Sequence, residues 1–114
     1  MCRHHEVVTV LLQLIALHCL ADYPLQGDFM ARGKNPAAPL PGVPWWLVLA
    51  SHATIHAAAV SMLLPGICAV IEFVAHFAID YAKCRGWLGT GERAFIADQV
   101  CHVACKAIYV LACG

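Results

Sequence analysis

The sequence has few charged residues and no segment of a kind that binds nucleic acid or nucleotides. Only 12% of its 114 residues are Asp, Glu, Lys or Arg, and acidic and basic residues number seven each. It has no run of Lys and Arg, no glycine-rich phosphate loop and no low-complexity segment. The composition therefore offers no electrostatic surface for nucleic acid, and we expect no nucleic-acid partner.

Cysteine is frequent but lacks the spacing of a disulfide framework or a zinc knuckle. The seven cysteines are an odd number, none forms a CxxC pair, and most lie within apolar runs. We therefore interpret them as small buried residues of membrane helices.

Apolar residues are abundant and make up 61% of the chain. A soluble domain of this length needs a large polar surface because little of its area is interior, and this composition cannot supply one. The bilayer is therefore the expected solvent. The apolar N-terminal segment lacks a well-matched small-x-small cleavage site, so we expect it to be retained as the first membrane span.

Prolines and polar residues divide the apolar sequence into four segments near the length that crosses ~30 Å of hydrocarbon. A Pro-rich connection follows the first segment, Pro65-Gly66 makes a tight turn after the second, and a polar connection follows the third. We predict an all-α fold, with one domain over 1–114. It is an integral membrane four-helix bundle of antiparallel, up-down transmembrane helices at about 6–22, 45–64, 67–83 and 94–113.

Basic residues are unevenly divided between the two ends of this predicted bundle. Five lie in the first and third connections or their flanks, whereas Arg3 and Lys106 lie towards the other end. The positive-inside rule then places those connections in the cytoplasm and both termini outside.

Each predicted helix carries two potential metal ligands at spacing i, i+4, which puts both side chains on one face, one turn apart. The pairs are His18/Asp22, His52/His56, His76/Asp80 and Asp98/His102. In an antiparallel bundle they sort into two levels. The level nearer the cytoplasm, ~7–10 Å inside the boundary, contains Asp22, His52, Asp80 and Asp98, and the level one turn deeper contains His18, His56, His76 and His102.

A single His or Asp in a membrane helix usually forms hydrogen bonds or snorkels, but eight at matched depth need another explanation. An Asp near the bilayer centre costs ~2.5–3.5 kcal/mol on insertion scales, and three Asp repel one another unless a cation or shared protons neutralise them. This favours a metal or proton site. All eight are candidate ligands of Zn²⁺ or another divalent transition metal, with Fe, Mn and Ni left open. The candidate catalytic residues are Asp22, Asp80, Asp98 and His52.

The two histidines of the second helix are expected to differ. His56 lies in the deeper level among other histidines and is the expected primary ligand. His52 lies among the carboxylates, where water, a second ion or a substrate oxygen is the expected neighbour. On the third helix, Glu72 and Lys83 share the face of the ligand pair, and Lys83 is expected to contact either Asp80 or an anionic substrate.

Four motifs resemble a family of small multi-spanning membrane proteins of bacteria and their phages that is catalogued as a domain of unknown function. They are HCLADYPLQ, HATIH, HFAIDYAK and DQVCH, which match the HxxLAD[FY]xLQ, HxxxH, HFxIDxxK and DQxxH elements in order and spacing. The resemblance covers nearly the whole chain and implies a multi-pass, four-helix protein of the bacterial inner membrane, but no activity. It also implies that Gln26, Lys83 and Gln99 belong to the site.

The first functional hypothesis is metal-assisted hydrolysis of a lipid-linked or headgroup substrate, because the site is shallow and a bound divalent metal activates water. The alternatives are a non-enzymatic ion or proton path, a phage-type protein that binds a host membrane protein with the metal holding the bundle, and a di-iron oxidase. Beyond the deeper level, only Lys106 and Tyr109 of the fourth helix are polar, which favours a one-sided pocket over a path. We expect membrane lipid to surround the protein. Two protein partners remain open: further copies of the same chain in a homo-oligomer, or a host membrane protein.

Overall fold

The computed structural model describes the backbone of residues 2–113 and the side chains of residues 4–113. Within that range it contains five helices and no strand. The side chains of Cys2 and Arg3, which entered the cysteine and charge counts, lie outside the described part. The helices are α1 (Cys2–Asp22), α2 (Gly27–Gly33), α3 (Trp45–Ser61), α4 (Gly66–Cys84) and α5 (Gly91–Cys113).

The all-α prediction is confirmed, and the four long helices match the predicted segments to within four residues at each end. Proline sets two of their starts, since Pro44 and Pro65 are the N-cap residues of α3 and α4. The short helix α2 was not predicted. The prolines of the first connection exclude one continuous helix, but residues 25–35 contain none, and Gly27 at φ 66° makes the turn that separates α2 from α1.

The four long helices close into a ring in which each packs against two others. The packed pairs are α1 with α3, α3 with α4, α4 with α5 and α5 with α1, and α2 packs on α3. In α3 and α4 the ring centroids of His56 and His76 lie 3.7 Å apart, and those of Trp45 and Tyr81 lie 5.6 Å apart. The residue numbers thus rise along one helix as they fall along its neighbour, so these two helices are antiparallel.

The other pairs of neighbouring helices are antiparallel as well. Between α1 and α5, the ring centroids of His18 and His102 lie 5.2 Å apart, and Tyr23, which directly follows α1, stacks on Phe95. Between α4 and α5, contacts join Cys68 to Cys113, Glu72 to Lys106 and Asp80 to His102. The bundle is therefore an up-down-up-down bundle.

The interior of the bundle has an apolar half and a polar half. The apolar half is a cluster of Leu14, Val60, Leu64, Cys68, Tyr109 and Val110. The polar half lies towards the α1–α3 and α4–α5 connections and holds the predicted His and Asp side chains. The helices thus turn these His and Asp side chains towards one another and away from the outer surface.

Two helices are long and apolar enough to cross a membrane, judged by length and composition alone. They are the segment His4–Asp22 of α1 and the whole of α5. Helix α3 has 17 residues, and α4 includes three charged residues, Glu72, Asp80 and Lys83.

Candidate metal centre

The eight His and Asp side chains predicted as ligands converge in the polar half of the bundle. Each is at most 9% exposed. Every long helix contributes its pair to the same interior region, because the i, i+4 spacing keeps both members of a pair on the face that the ring turns inward. The residues are His18, Asp22, His52, His56, His76, Asp80, Asp98 and His102.

The Asp22 carboxylate, at the end of α1, is the point where three helices meet. Its Oδ1 lies 2.9 Å from His56 Nε2 and 3.2 Å from His52 Nε2. Its Oδ2 accepts a hydrogen bond of 2.8 Å from Gln99 Nε2 and lies 3.3 Å from His18 Nε2. One carboxylate thus draws together groups from α1, α3 and α5.

His52 and His56 meet at Asp22, although their other neighbours differ as the two predicted levels require. His52 Nε2 lies 3.5 Å from Asp80 Oδ2, whereas the His56 ring stacks on that of His76 with the ring centroids 3.7 Å apart. Both imidazoles approach the same oxygen of Asp22, and their ring centroids are 4.7 Å apart. The backbone positions of the two histidines differ by about one helical turn (~5.4 Å), and their side chains span this distance to reach one oxygen. The two histidines therefore belong to one group.

Four residues have the spacing needed to hold a metal ion. Asp22, His52, His56 and His76 each offer a ligand atom, and these atoms all lie within 4.8 Å of one another. Tetrahedral zinc with bonds of ~2.1 Å needs ligand atoms ~3.4 Å apart, which small side-chain shifts would reach. Three imidazoles and one carboxylate are also a donor set that zinc and similar ions accept.

The surroundings of His76 fit a ligand. Its Nδ1 lies 3.3 Å from Glu72 Oε1, so a proton on Nδ1 is donated to Glu72 and the lone pair is left on Nε2. That Nε2 is buried and has no hydrogen-bond partner, although Asp80 Oδ2 lies 3.3 Å away in an unsuitable direction. A metal-binding histidine usually has such an orienting carboxylate on its other nitrogen.

Asp80, Asp98 and His102 make a second group of potential ligands. His102 Nε2 lies 3.1 Å from Asp98 Oδ1 and 3.6 Å from Asp80 Oδ1. Both carboxylates, however, also contact a lysine. Lys34 Nζ lies 2.8 Å from Asp80 Oδ2, and Lys83 Nζ lies 3.5 Å from Asp98 Oδ2.

Lys34 was missed as a site residue, and Lys83 contacts Asp98 where the sequence had offered Asp80 or an anionic substrate as its partner. Lys34 directly follows α2, and that helix packs on α3, which carries the lysine over the end of the polar cluster. Its ammonium also donates to Gln26 Oε1. Lys83 instead faces Asp98 and the ring of Phe95, 5.5 Å from its centroid. A loop lysine has no periodic pattern that would have revealed this position.

Gln99 joins the two carboxylates of α1 and α5. Its Nε2 donates to Asp22 Oδ2 at 2.8 Å and to Asp98 Oδ2 at 3.0 Å. Its Oε1 accepts from the Tyr23 hydroxyl at 3.1 Å and lies 3.0 Å from His18 Nε2. Adjacent residues of a helix point ~100° apart, but the amide side chain of Gln99 is long enough to reach Asp98.

Tyr23 and His18 therefore hold the amide of Gln99 in place. Partial burial raises the pKa of Tyr23 above its ordinary value of 10.0, with a further contribution from nearby acidic groups including Asp22, so the hydroxyl keeps the proton that it donates. His18 belongs to none of the potential ligand groups found in the described part of the chain. Gln26, in turn, donates from Nε2 to the backbone oxygen of Asp22 at 3.3 Å.

Glu72 and Lys106 form an ion pair one turn deeper, where the sequence predicted few polar groups. Both side chains are almost fully buried, and Lys106 Nζ donates to Glu72 Oε1. Glu72 Oε2 and the Tyr109 hydroxyl are also buried there, without a hydrogen-bond partner. The polar interior thus continues past the histidines towards the apolar half.

Three of the four buried acids have a lysine partner. Glu72 contacts Lys106, and the carboxylates of Asp80 and Asp98 contact Lys34 and Lys83, as described above. Only Asp22 contacts no lysine, and its neighbours are three histidines and Gln99. From the sequence, a metal was expected to neutralise the buried acids, but the lysines neutralise three of them. Asp22 is the buried acid that still needs a cation beside it.

The fold and this centre define an all-helical protein with a buried His/Asp cluster able to accept a metal ion. The chain belongs to the family described as "Protein of unknown function (DUF3307)", whose model matches residues 10–113. The resemblance to a family of unknown function is thereby confirmed. No curated protein and no solved structure matches the chain.

Proposed function

We propose that the protein is an integral membrane protein whose four long helices cross the bilayer and hold one divalent transition metal. Zinc is the first candidate for this metal. The ligands are Asp22, His52, His56 and His76. The observation that carries this proposal is the meeting of two imidazole Nε2 atoms at Asp22 Oδ1, beside the unpartnered Nε2 of His76.

The distribution of side chains supports a four-span membrane protein. Large apolar side chains are exposed on every long helix, including Leu12, Leu47, Val74 and Ile108. Six Asp, Glu and Lys side chains are instead buried in the interior, and five of them are in ion pairs with a residue of opposite charge. This is the reverse of a soluble domain and is the arrangement expected when lipid surrounds the helices. The charges of α4 face inward and do not prevent this helix from crossing.

The proposed orientation places the metal centre near the cytoplasmic side of the bacterial inner membrane and both termini in the periplasm. Lys34 and Lys83 face the buried cluster, but three arginines at the same end are exposed to the surroundings. Exposed basic residues at one end favour the cytoplasm for that end. They are Arg32, Arg85 and Arg93. A reporter fused at Gly89, in the α4–α5 connection, is expected to score as cytoplasmic.

The charge balance supports a single ion. The buried acids bring four negative charges, and Lys34, Lys83 and Lys106 bring three positive ones. One divalent ion would leave the centre with a net charge of about +1, whereas a second would leave a larger excess that is costly to bury. The lysines on Asp80 and Asp98 thus take the place of a second metal.

We propose hydrolysis of an anionic lipid-linked or headgroup substrate as the reaction. A bound metal supplies a Lewis acid that polarises the substrate and activates water. Lys34 and Lys83 lie at the end of the cluster nearest the connections, where their ammonium groups can bind the anionic group of the substrate. The pair of Asp98 and His102, 3.1 Å apart, is placed to accept a proton.

Measurements of metal content test the proposed binding site, and measurements of turnover test the proposed catalysis. The detergent-purified protein is expected to carry about one divalent metal per chain, and His56→Ala is expected to lose it. The matched control is His5→Ala, an exposed histidine of α1, which should retain the metal. Asp98→Asn should keep the metal but lose hydrolysis of phosphate-ester lipids. Absence of metal from the parent protein, after purification without chelator and addition of zinc, would refute the proposal.

A second candidate is a proton path, and it is favoured by the deeper polar groups. Glu72, Lys106 and Tyr109 extend the polar interior by a turn beyond the histidines, so the apolar barrier that argued against a path is thinner than the sequence suggested. Proteoliposomes with an internal pH dye test it. If vesicles that contain the parent protein acidify faster than vesicles that contain Glu72→Gln, the result favours the proton path. Equal rates of acidification would exclude it.

A further inference from the structure

Two cysteine side chains meet at the end of the bundle opposite the metal centre. The Sγ atoms of Cys68 and Cys113 lie 2.8 Å apart, although the residues are 45 positions apart in sequence. Cys68 lies in the first turn of α4, and Cys113 is the last residue of α5. No other cysteine pair in residues 4–113 makes such a contact.

The two thiols differ in access. Cys68 is fully buried in the apolar cluster, beside Leu64 and Val110. Cys113 is exposed and lines a cavity of about 340 Å³ together with Glu6, Leu63 and Pro65 among others. A thiol reagent or an oxidising protein can therefore reach Cys113 first, and Cys68 is placed directly behind it.

We propose that Cys68 and Cys113 form a disulfide in the cell, made by exchange with an oxidised dithiol protein outside the cytoplasm. The sulfur atoms need to approach by only about 0.8 Å to reach the bonded distance of ~2.05 Å. This inference rests on the proposed orientation, which puts this end of the bundle in the periplasm, where disulfides persist. It does not depend on the metal centre.

The exchange has two steps. The Cys113 thiolate attacks one sulfur of the partner's disulfide, which forms a mixed disulfide and releases the partner's other sulfur as a thiolate. The Cys68 thiolate then attacks Cys113 Sγ, closes the intramolecular bond and displaces the second sulfur of the partner. The partner leaves as a reduced dithiol that has gained two electrons and the two protons lost by Cys68 and Cys113.

The bond would tie the start of α4 to the end of α5. It closes a loop of 45 residues, and a cross-link of that span restricts the unfolded chain considerably. Reduction of the parent protein is therefore expected to lower its melting temperature by several degrees. The same treatment should leave the melting temperature of Cys68→Ser unchanged.

Thiol counting on the full chain tests the proposal. Membranes are quenched in acid, the protein is denatured and alkylated with N-ethylmaleimide, and its intact mass is measured with and without prior reduction. With seven cysteines and one disulfide, we expect five alkylated thiols before reduction and seven after. Cys68→Ser and Cys113→Ser should each show six in both samples. Cys101→Ser, the matched control on α5, should show four and six.

Two results would overturn the proposal. One is seven alkylated thiols in the unreduced parent protein, including the case in which a disulfide forms only after an oxidant is added, since this would place the pair in a reducing compartment. The other is loss of two thiols in Cys68→Ser, which would show that other cysteines pair. Metal content measured on Cys68→Ser should equal that of the parent, so failure here is distinguishable from failure of the metal proposal.

Discussion

Lys34 Nζ lies 2.8 Å from Asp80 Oδ2, and this contact brings a residue of the first connection into the buried centre of the bundle. Asp80 lies within 3.6 Å of imidazole nitrogens from both His76 and His102. The lysine thus neutralises a carboxylate that lies beside histidines of different potential ligand groups. It also couples the position of the connection to the state of the centre.

Removal of the Lys34 charge is expected to destabilise the protein. Lys34→Met keeps the aliphatic stem but leaves the buried Asp80 carboxylate without its lysine, and breaking a buried pair costs about 3–5 kcal/mol. Arg32→Met is the control, since its pair with Asp28 is exposed on both sides and such pairs contribute little. Thermal unfolding in detergent measures both. Similar melting temperatures for the two variants would contradict the buried Lys34–Asp80 pair.

His52→Ala and His56→Ala are expected to lose metal to a similar extent. Both imidazoles approach Asp22 Oδ1, so each variant removes one ligand of the same ion. His18→Ala should retain a stoichiometric metal with weaker affinity, because His18 orients Gln99 and Asp22. Competition with a chelating dye gives the three affinities. If only His52→Ala retained all of its metal, His56 would be the ligand and His52 would not, as the prediction of two levels had it.

Glu72 is expected to act on the metal through His76. The double variant Glu72→Leu/Lys106→Met replaces a buried ion pair by apolar groups of similar volume, which is often neutral for stability. His76 then loses the carboxylate that holds its Nδ1, and metal affinity should fall by ~10–100-fold. Lys106→Met alone serves as the comparison, since it leaves Glu72 in contact with His76. Unchanged affinity in the double variant would mean that His76 is not a ligand.

A lysine at Val74 distinguishes lipid from water as the surroundings of the helices. Val74 is 61% exposed in the middle of α4, so Val74→Lys should be harmless if water covers this face. In a bilayer it costs ~2.5–3.5 kcal/mol at the helix centre, and the amount of protein recovered in the membrane should fall. Trp87→Lys is the control, because Trp87 is 69% exposed in the α4–α5 connection. Equal recovery of both variants would exclude lipid at Val74.

The sequence by itself determined the four long helices and the faces that carry the ligands. The positions of Pro44 and Pro65 set two helix starts, because proline lacks the amide hydrogen that a helix interior requires. The spacing of His76 and Asp80 placed both on one face, because helical periodicity is a local property of the chain. The four apolar segments predicted the all-α fold, and one ligand pair on each segment predicted that the eight side chains share the interior of a bundle.

The tertiary structure alone decided which groups meet. The contacts of Lys34, Tyr23 and Gln99 depend on how a connection folds and how a long side chain turns, and neither has a sequence period. The meeting of His52 and His56 at one oxygen of Asp22 depends on side-chain reach between α3 and α1, which backbone depth does not describe. Cys68 and Cys113 are neighbours only because α4 and α5 run antiparallel, which brings together residues that lie 45 positions apart.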